Sequence, residues 1–357
     1  MDNKTVESLP DGVRCTIIIY TVILIAFGTV GNILLLSTIF YKRFRRSLPT
    51  EATEMTAIGT QKLRTNSTSV VRTPITPAVQ QRLSIADQLL SVLTVTDTLC
   101  LWIIVTRYLV HLSTDYDIRT YSVAACKFHT FLTMILSDAS TAILCIFAAH
   151  RAVCIRYPLI SHHWFTRSRM KIITLVAFLF IMSKHLPSLF LFTLLPIPNG
   201  LKCDVREDTS VYNQIYYNFE FITHAIFGYL CLIVANILLF VSLAYTNRVQ
   251  TAAQAGSGES PASGLQIARV ILLFSFIQLI TAVPFFILIE LSGLYELFLL
   301  PDSTQLIMYY ILTLAIFSNC GINFYMLLGI SERFRKDFAI LYQGIRRQFT
   351  RRKTIAK

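Results

Sequence analysis

The stretch from Cys126 to Pro158 reads CKFHTFLTMILSDASTAILCIFAAHRAVCIRYP, a mostly apolar run that ends at a basic pair of residues, Arg151 and Arg156. A bilayer core about 30 Å thick is crossed by about 20 predominantly apolar residues in a helix. This run meets that length. Working outward, comparable runs lie near residues 15–41, 84–111, 170–195, 213–245, 266–291 and 305–330, which makes seven with the run near 122–149. The first is too long for a signal-peptide core of about 7 to 15 residues and follows no distinctly basic segment. It therefore reads as a span. A chain that is 54% hydrophobic and 15% charged is too apolar for ordinary soluble domains. The sequence predicts an all-α membrane protein, a seven-helix bundle over 15–330 preceded by a segment 1–14 and followed by a tail 331–357.

The formal net charge is +12, but the basic residues fall between and after the apolar runs. Membrane topology explains them better than nucleic-acid binding, because Lys and Arg are retained on the cytoplasmic side. They cluster after the first run (Lys42, Arg43, Arg45, Arg46, Lys62, Arg64, Arg72, Arg82), after the third (Arg151, Arg156, Arg167, Arg169, Lys171) and after the seventh. Between the sixth and seventh stand Glu290, Glu296 and Asp302 with no Lys or Arg. The N-terminus is expected outside a plasma membrane, where Asn3 begins a glycosylation sequon. The polar loop 42–82 and the Gly- and Ser-rich loop 247–264 read as long cytosolic connections.

Polar groups inside membrane helices cost about 2.5–3.5 kcal/mol when charged, so each needs a partner or a wet cavity. Asn32, Asp97, Ser140, Asn319 and Asn323 lie at matching depth in four runs. After the seventh run, Phe334, Phe338, Leu341, Ile345 and Phe349 recur every three or four residues beside Arg335, Lys336, Arg346 and Arg347. That periodicity predicts an amphipathic interfacial helix in contact with lipid.

Cys126 is followed 25 positions later by Arg151 and Pro158 comes seven after that. Together with Gly31, Asn32, Asp97, Ser140, Pro284 and Asn323, these spacings make residues 15–345 resemble the rhodopsin-like G-protein-coupled receptors. The resemblance implies a hydrated pocket in which Asp97, Ser140, Asn319 and Asn323 hold an allosteric sodium ion. A simply protonated or hydrogen-bonded Asp97 is the alternative. It implies a disulfide between Cys126 and Cys203, a kink at Pro284 in helix 6, and a role for Arg151 in receiving a heterotrimeric G protein. No other cofactor and no enzymatic activity are expected, since HExxH, phosphate-loop and nucleophile-elbow patterns are missing.

The chain also departs from the family pattern. His150 and Ala152 flank Arg151 where an acid and a Tyr are usual; Gln278 and Ala282 replace an aromatic pair; Leu327 stands in place of a Tyr. Weak restraint of the inactive state follows, with either raised basal signalling or reduced coupling as its result.

Thr133 occupies the position at which amine receptors carry an Asp, and helix 7 has no Schiff-base Lys, which argues against amine and retinal ligands. Asn323–Phe324 and the following Ser331–Glu332–Arg333–Phe334–Arg335 most resemble invertebrate neuropeptide receptors of the FMRFamide and myosuppressin type. Candidate ligand contacts, read from depth alone, are Arg107, Tyr108, Thr133, Asp138, His185, Gln278, Glu290, Tyr309 and Thr313. Asp138 or Glu290 would suit a basic peptide side chain. A divergent chemosensory receptor of the same fold is the alternative; a transporter or channel would be expected to show repeats or broken half-helices, and none is evident.

Overall fold

The computed structural model describes residues 9–47, 84–198, 200–206, 210–253, 262–287 and 302–355. Among them are seven helices long and apolar enough to cross a membrane: Asp11–Phe44, Ile85–Thr114, Val123–Arg156, Arg167–Leu191, Gln214–Thr246, Gln266–Phe285 and Thr304–Ile330. They are numbered here as spans 1 to 7. The expected sequon at Asn3, the ligand candidate Glu290, most of the 42–82 loop and the centre of the 247–264 loop lie outside the described residues.

Each span buries one face and leaves apolar side chains such as Phe27, Phe180, Phe227 and Phe240 exposed on the other. Water solvates such a surface poorly, whereas lipid does not penalise it. Span 3 lies at the centre and packs against spans 2, 4, 5 and 6. Spans 1 and 7 meet through small residues: a Cβ on Gly28 would lie 3.0 Å from the Cα of Gly321, and one on Gly321 3.2 Å from Gly28. Glycine at both positions allows the two backbones this approach. Nearby, the Asn32 amide donates to the Cys320 carbonyl at 3.0 Å.

Several boundaries differ from the sequence expectation: helix runs on to Ser47 and to Ala253 and resumes at Ala262, within the expected loops 42–82 and 247–264. Span 1 begins at Asp11, so the last residues of the expected 1–14 tail are helical. The fourth run, expected as one membrane segment through residue 195, leaves the helix earlier. After Arg167–His185 and a short turn at Ser188–Leu191, it forms strand β1 (Phe192–Ile197), paired antiparallel with β2 (Gly200–Val205). Pro196 and Pro198 have no N–H to continue a helical ladder, and Gly200 takes a positive φ of 138° at the turn, which glycine reaches without strain.

The last helix, Glu332–Ile355, follows span 7 directly. Ser331 caps it by accepting the Phe334 N–H at 3.2 Å, and Arg335 donates to the carbonyl of Gly329 at 2.7 Å, satisfying the end of span 7. The expected apolar stripe is largely used within the protein. Phe334 and Phe338 pack edge-on against Phe324, and Leu341 is buried, while Ile345 is exposed. Lys42 at the end of span 1 reaches Asp337 at 3.0 Å and Asp87 at 3.5 Å, tying this helix to spans 1 and 2.

Candidate functional site

Span 2 starts with Ser84 capping the Asp87 N–H at 3.1 Å and carries Asp97 to the middle of the bundle. There the carboxylate accepts from Ser140 at 2.9 Å and from Asn323 at 2.6 Å. A cavity of about 10 Å³ adjoins it, lined among others by Leu144, Phe274, Gln278 and Asn319. That is room for about one water or one small ion. Asn319 does not bond Asp97: its amide nitrogen donates to Thr281 at 2.8 Å and to the Ile316 carbonyl at 3.0 Å. Its Oδ1 is buried without a partner. Asp97, Ser140 and Asn319, each bearing a side-chain oxygen, thus line the same small cavity. Asn32 is set apart, committed to Cys320.

A second cavity of about 230 Å³ opens towards the Cys126 end of the bundle. Two stretches of wide π-helical turn flank it, Cys100–Val105 in span 2 and Phe221–Gly228 in span 5. Such turns are frequent at functional sites, and here they lie beside Ile104, Tyr108, Phe221 and His224, all of which face the cavity. Its walls also include Thr133, Asp138, Glu220, Tyr229, Phe285, Phe286 and Thr313. Tyr108 and Tyr309 share a 2.8 Å hydroxyl hydrogen bond, and ring contacts continue from Tyr309 through Phe285 and Phe286 to Tyr229 and His224. Tyr229, which also lines this cavity, has its hydroxyl beside Thr141 and Gln278.

One wall of this cavity is ionic. Asp138 on span 3 accepts from Lys184 at 2.5 Å and from His185 at 3.0 Å, both at the end of span 4, and pairs with His224 on span 5. Glu220, also on span 5, lies 3.2 Å from Lys184 and 3.5 Å from His185 Nδ1. Lys184, Glu220 and His224 were not anticipated. Their signal was present in the sequence, since each is ionisable within a membrane-length apolar run, where such groups mark function.

Of the nine anticipated ligand contacts, Tyr108, Thr133, Asp138 and Thr313 line the outer cavity, and Tyr309 supports it through Tyr108. His185 is fully buried behind Asp138. Gln278 lies lower and joins the small cavity beside Asp97. Arg107 is directed away, forming a two-pronged pair with Asp117 at 3.0 and 2.8 Å. Asp117 follows span 2 and is also held by Arg119 at 2.9 Å. Burial works to raise the Asp117 pKa, yet the two guanidiniums outweigh it and hold the carboxyl well below the usual carboxylate range.

Cys126 and Cys203 form a disulfide that fastens β2 to the start of span 3. Cys15, Cys100, Cys145, Cys154, Cys231 and Cys320 are free thiols.

At the opposite end of span 3, Arg151 has no ion pair or hydrogen bond among the described residues. Its Nε is buried without a partner, and its guanidinium sits 5.9 Å from the Phe147 ring. Neighbouring His150 turns to Cys154 at 3.4 Å and to the edge of Phe165. Arg156 stacks on Tyr245 of span 5 at 3.9 Å. Pro284 falls next to the last residue of the α-helical part of span 6, Ala262–Phe285, which continues into wider turns through residue 287.

The described residues thus combine seven spans, a buried Asp–Ser–Asn centre, a cavity at one end and, at the other, an arginine without an ion pair among them. The sequence matches the 7 transmembrane receptor (rhodopsin family) over residues 67–323, and the chain belongs to that family. It is a multi-pass membrane receptor and not an enzyme. A search of curated proteins finds no match to the sequence.

Proposed function

We propose that this receptor lies in the plasma membrane with its N-terminus outside, binds an extracellular neuropeptide in the cavity beside Asp138, and activates a heterotrimeric G protein through Arg151. The observation that carries the ligand class is the lining of the 230 Å³ cavity: Tyr108, Tyr229, Phe285 and Phe286 beside the carboxylates of Asp138 and Glu220. Aromatic walls suit aromatic side chains, and buried carboxylates suit a guanidinium, which pairs with them in a planar fork. A peptide carrying both an aromatic and a basic residue near one end fits that chemistry. The positive charges near the Arg151 end support placing that end in the cytosol. A sodium ion between Asp97, Ser140 and Asn319 would stabilise one state of the bundle, and anionic lipid would meet the basic face of the last helix.

A second reading, a chemosensory receptor for small molecules, draws on the cavity's size. About 230 Å³ is below the roughly 300–1,000 Å³ common for drug-sized ligands.

The test is a library of amidated peptides with and without basic residues, applied to cells that display the chain, beside Glu220→Gln. Activation by basic aromatic peptides, with potency reduced about tenfold or more in the variant, supports the peptide reading. Activation only by small organic molecules overturns it.

A further inference from the structure

The ionic wall has a property that a peptide pocket does not require. His185 is fully buried and presents each ring nitrogen to a different carboxylate: Nε2 to Asp138 Oδ2 at 3.0 Å, and Nδ1 to Glu220 Oε2 at 3.5 Å. The second contact is not a hydrogen bond. Both His185 Nδ1 and Glu220 Oε2 are buried without a partner, so two strong ligand atoms face each other with nothing joining them. A buried polar group left without a partner destabilises the fold until something satisfies it.

We propose that Asp138, His185 and Glu220 form a site for a divalent transition-metal ion of the zinc class, for which the Lys184 ammonium is the built-in competitor. One donor atom from each of Asp138, His185 and Glu220 lies within 4.8 Å of the others, and His224 Nδ1 adjoins Asp138 from span 5. Zinc binds imidazole nitrogen and carboxylate oxygen at about 2.0–2.2 Å, so neighbouring ligand atoms of a tetrahedron lie roughly 3.3–3.6 Å apart. The 3.5 Å separation between His185 Nδ1 and Glu220 Oε2 is already such an edge, whereas Asp138, which now accepts from Nε2 on the other side of the ring, has to close on the ion as it binds. Two carboxylates and one imidazole, with water in the fourth position, are a mixed hard and borderline set that suits this ion class.

Charge balance gives Lys184 its role. Its ammonium sits where the carboxylates converge, 2.5 Å from Asp138 and 3.2 Å from Glu220. With neutral imidazoles the group is one positive charge short, an expensive condition away from water. A divalent ion between the carboxylates neutralises both once the buried Lys184 ammonium withdraws from them or gives up its proton to solvent. Asp138, Glu220 and His224 line the outer cavity, which provides the route of entry. A bound ion would join spans 3, 4 and 5 beside the ligand cavity and so alter ligand affinity.

The test uses the purified full-length chain in lipid nanodiscs, titrated with zinc chloride alone by calorimetry, so that neither ligand nor G protein enters the readout. The expected result is one ion per chain. Lys184→Met should tighten binding about tenfold or more by removing the competitor, and His185→Phe and Asp138→Asn should weaken it by at least that factor. Replacing His162 and His163 with Ala should change nothing, and the zinc absorption edge should report nitrogen and oxygen ligands without sulfur. Lys184→Met keeps the test decisive if a ligand variant fails to fold, because it predicts a gain. Saturable binding missing from both wild type and Lys184→Met overturns the proposal, as does binding that persists in His185→Phe.

Discussion

Asn323 on span 7 donates a 2.6 Å hydrogen bond to Asp97 on span 2, joining residues 226 positions apart. With Ser140 at 2.9 Å, this places one carboxylate at the junction of three spans, next to a cavity large enough for a single small ion.

The receptor should therefore be stabilised by sodium through Asp97. Ligand binding to the folded state alone adds about 2.7 kcal/mol at a hundredfold excess over Kd. Thermal unfolding in sodium and in choline salts should differ for the wild type and coincide for Asp97→Asn. Equal responses of the two proteins would place the cation elsewhere. Asn323→Ala, which removes a hydrogen bond to this carboxylate, should cost about 1.5–3 kcal/mol.

Arg151 is free of any acidic partner among the described residues, and His150 is engaged with Cys154 and Phe165 instead. Supplying the missing carboxylate by His150→Asp should restrain the arginine. A pair worth about 1 kcal/mol changes a two-state ratio about fivefold. Basal G-protein activation should fall by that order at equal surface expression. Unchanged basal activity would mean that Arg151 is not what sets it.

Asp117 holds Arg107 and Arg119 at the Cys126 end of the bundle. Its folded pKa lies below the unfolded value of about 3.9, so its contribution is fully present above that value and is lost as pH falls through the lower, folded pKa. The pair should hold from pH 7 down to about pH 4. Asp117→Asn should lower stability throughout that range by about 1.5–3 kcal/mol, with the difference from wild type narrowing only in stronger acid. Unfolding midpoints measured at several pH values check this; a difference that vanishes already near pH 5 would count against it.

The spans were legible because a bilayer imposes one length and one composition on every crossing helix. The Asp97, Ser140 and Asn323 centre was legible through the spacing that resembles the receptor family. The ionic wall was legible only in part, through Asp138 and His185. Lys184, Glu220 and His224 lie on two runs whose relative rotation is set by tertiary packing and by the wide turn at Phe221–Gly228, and neither feature is written in local periodicity. Arg107 was misplaced for a related reason: its partner Asp117 lies in a loop ten residues on, where depth along a helix gives no direction. The β1–β2 hairpin was overlooked because Phe192, Leu194 and Leu195 extend the apolar run of span 4, and only Pro196, Pro198 and Gly200 signal the change of backbone.

If ligand binding at the Cys126 end is transmitted to a G protein at Arg151, signalling depends on that arginine. The most direct measurement is G-protein activation, basal and peptide-evoked, in cells displaying the wild type or Arg151→Ala at matched surface levels. The wild type should give a peptide response that the variant loses. A wild type that reaches the surface and stays silent to every peptide, or a response that Arg151→Ala keeps in full, would contradict it.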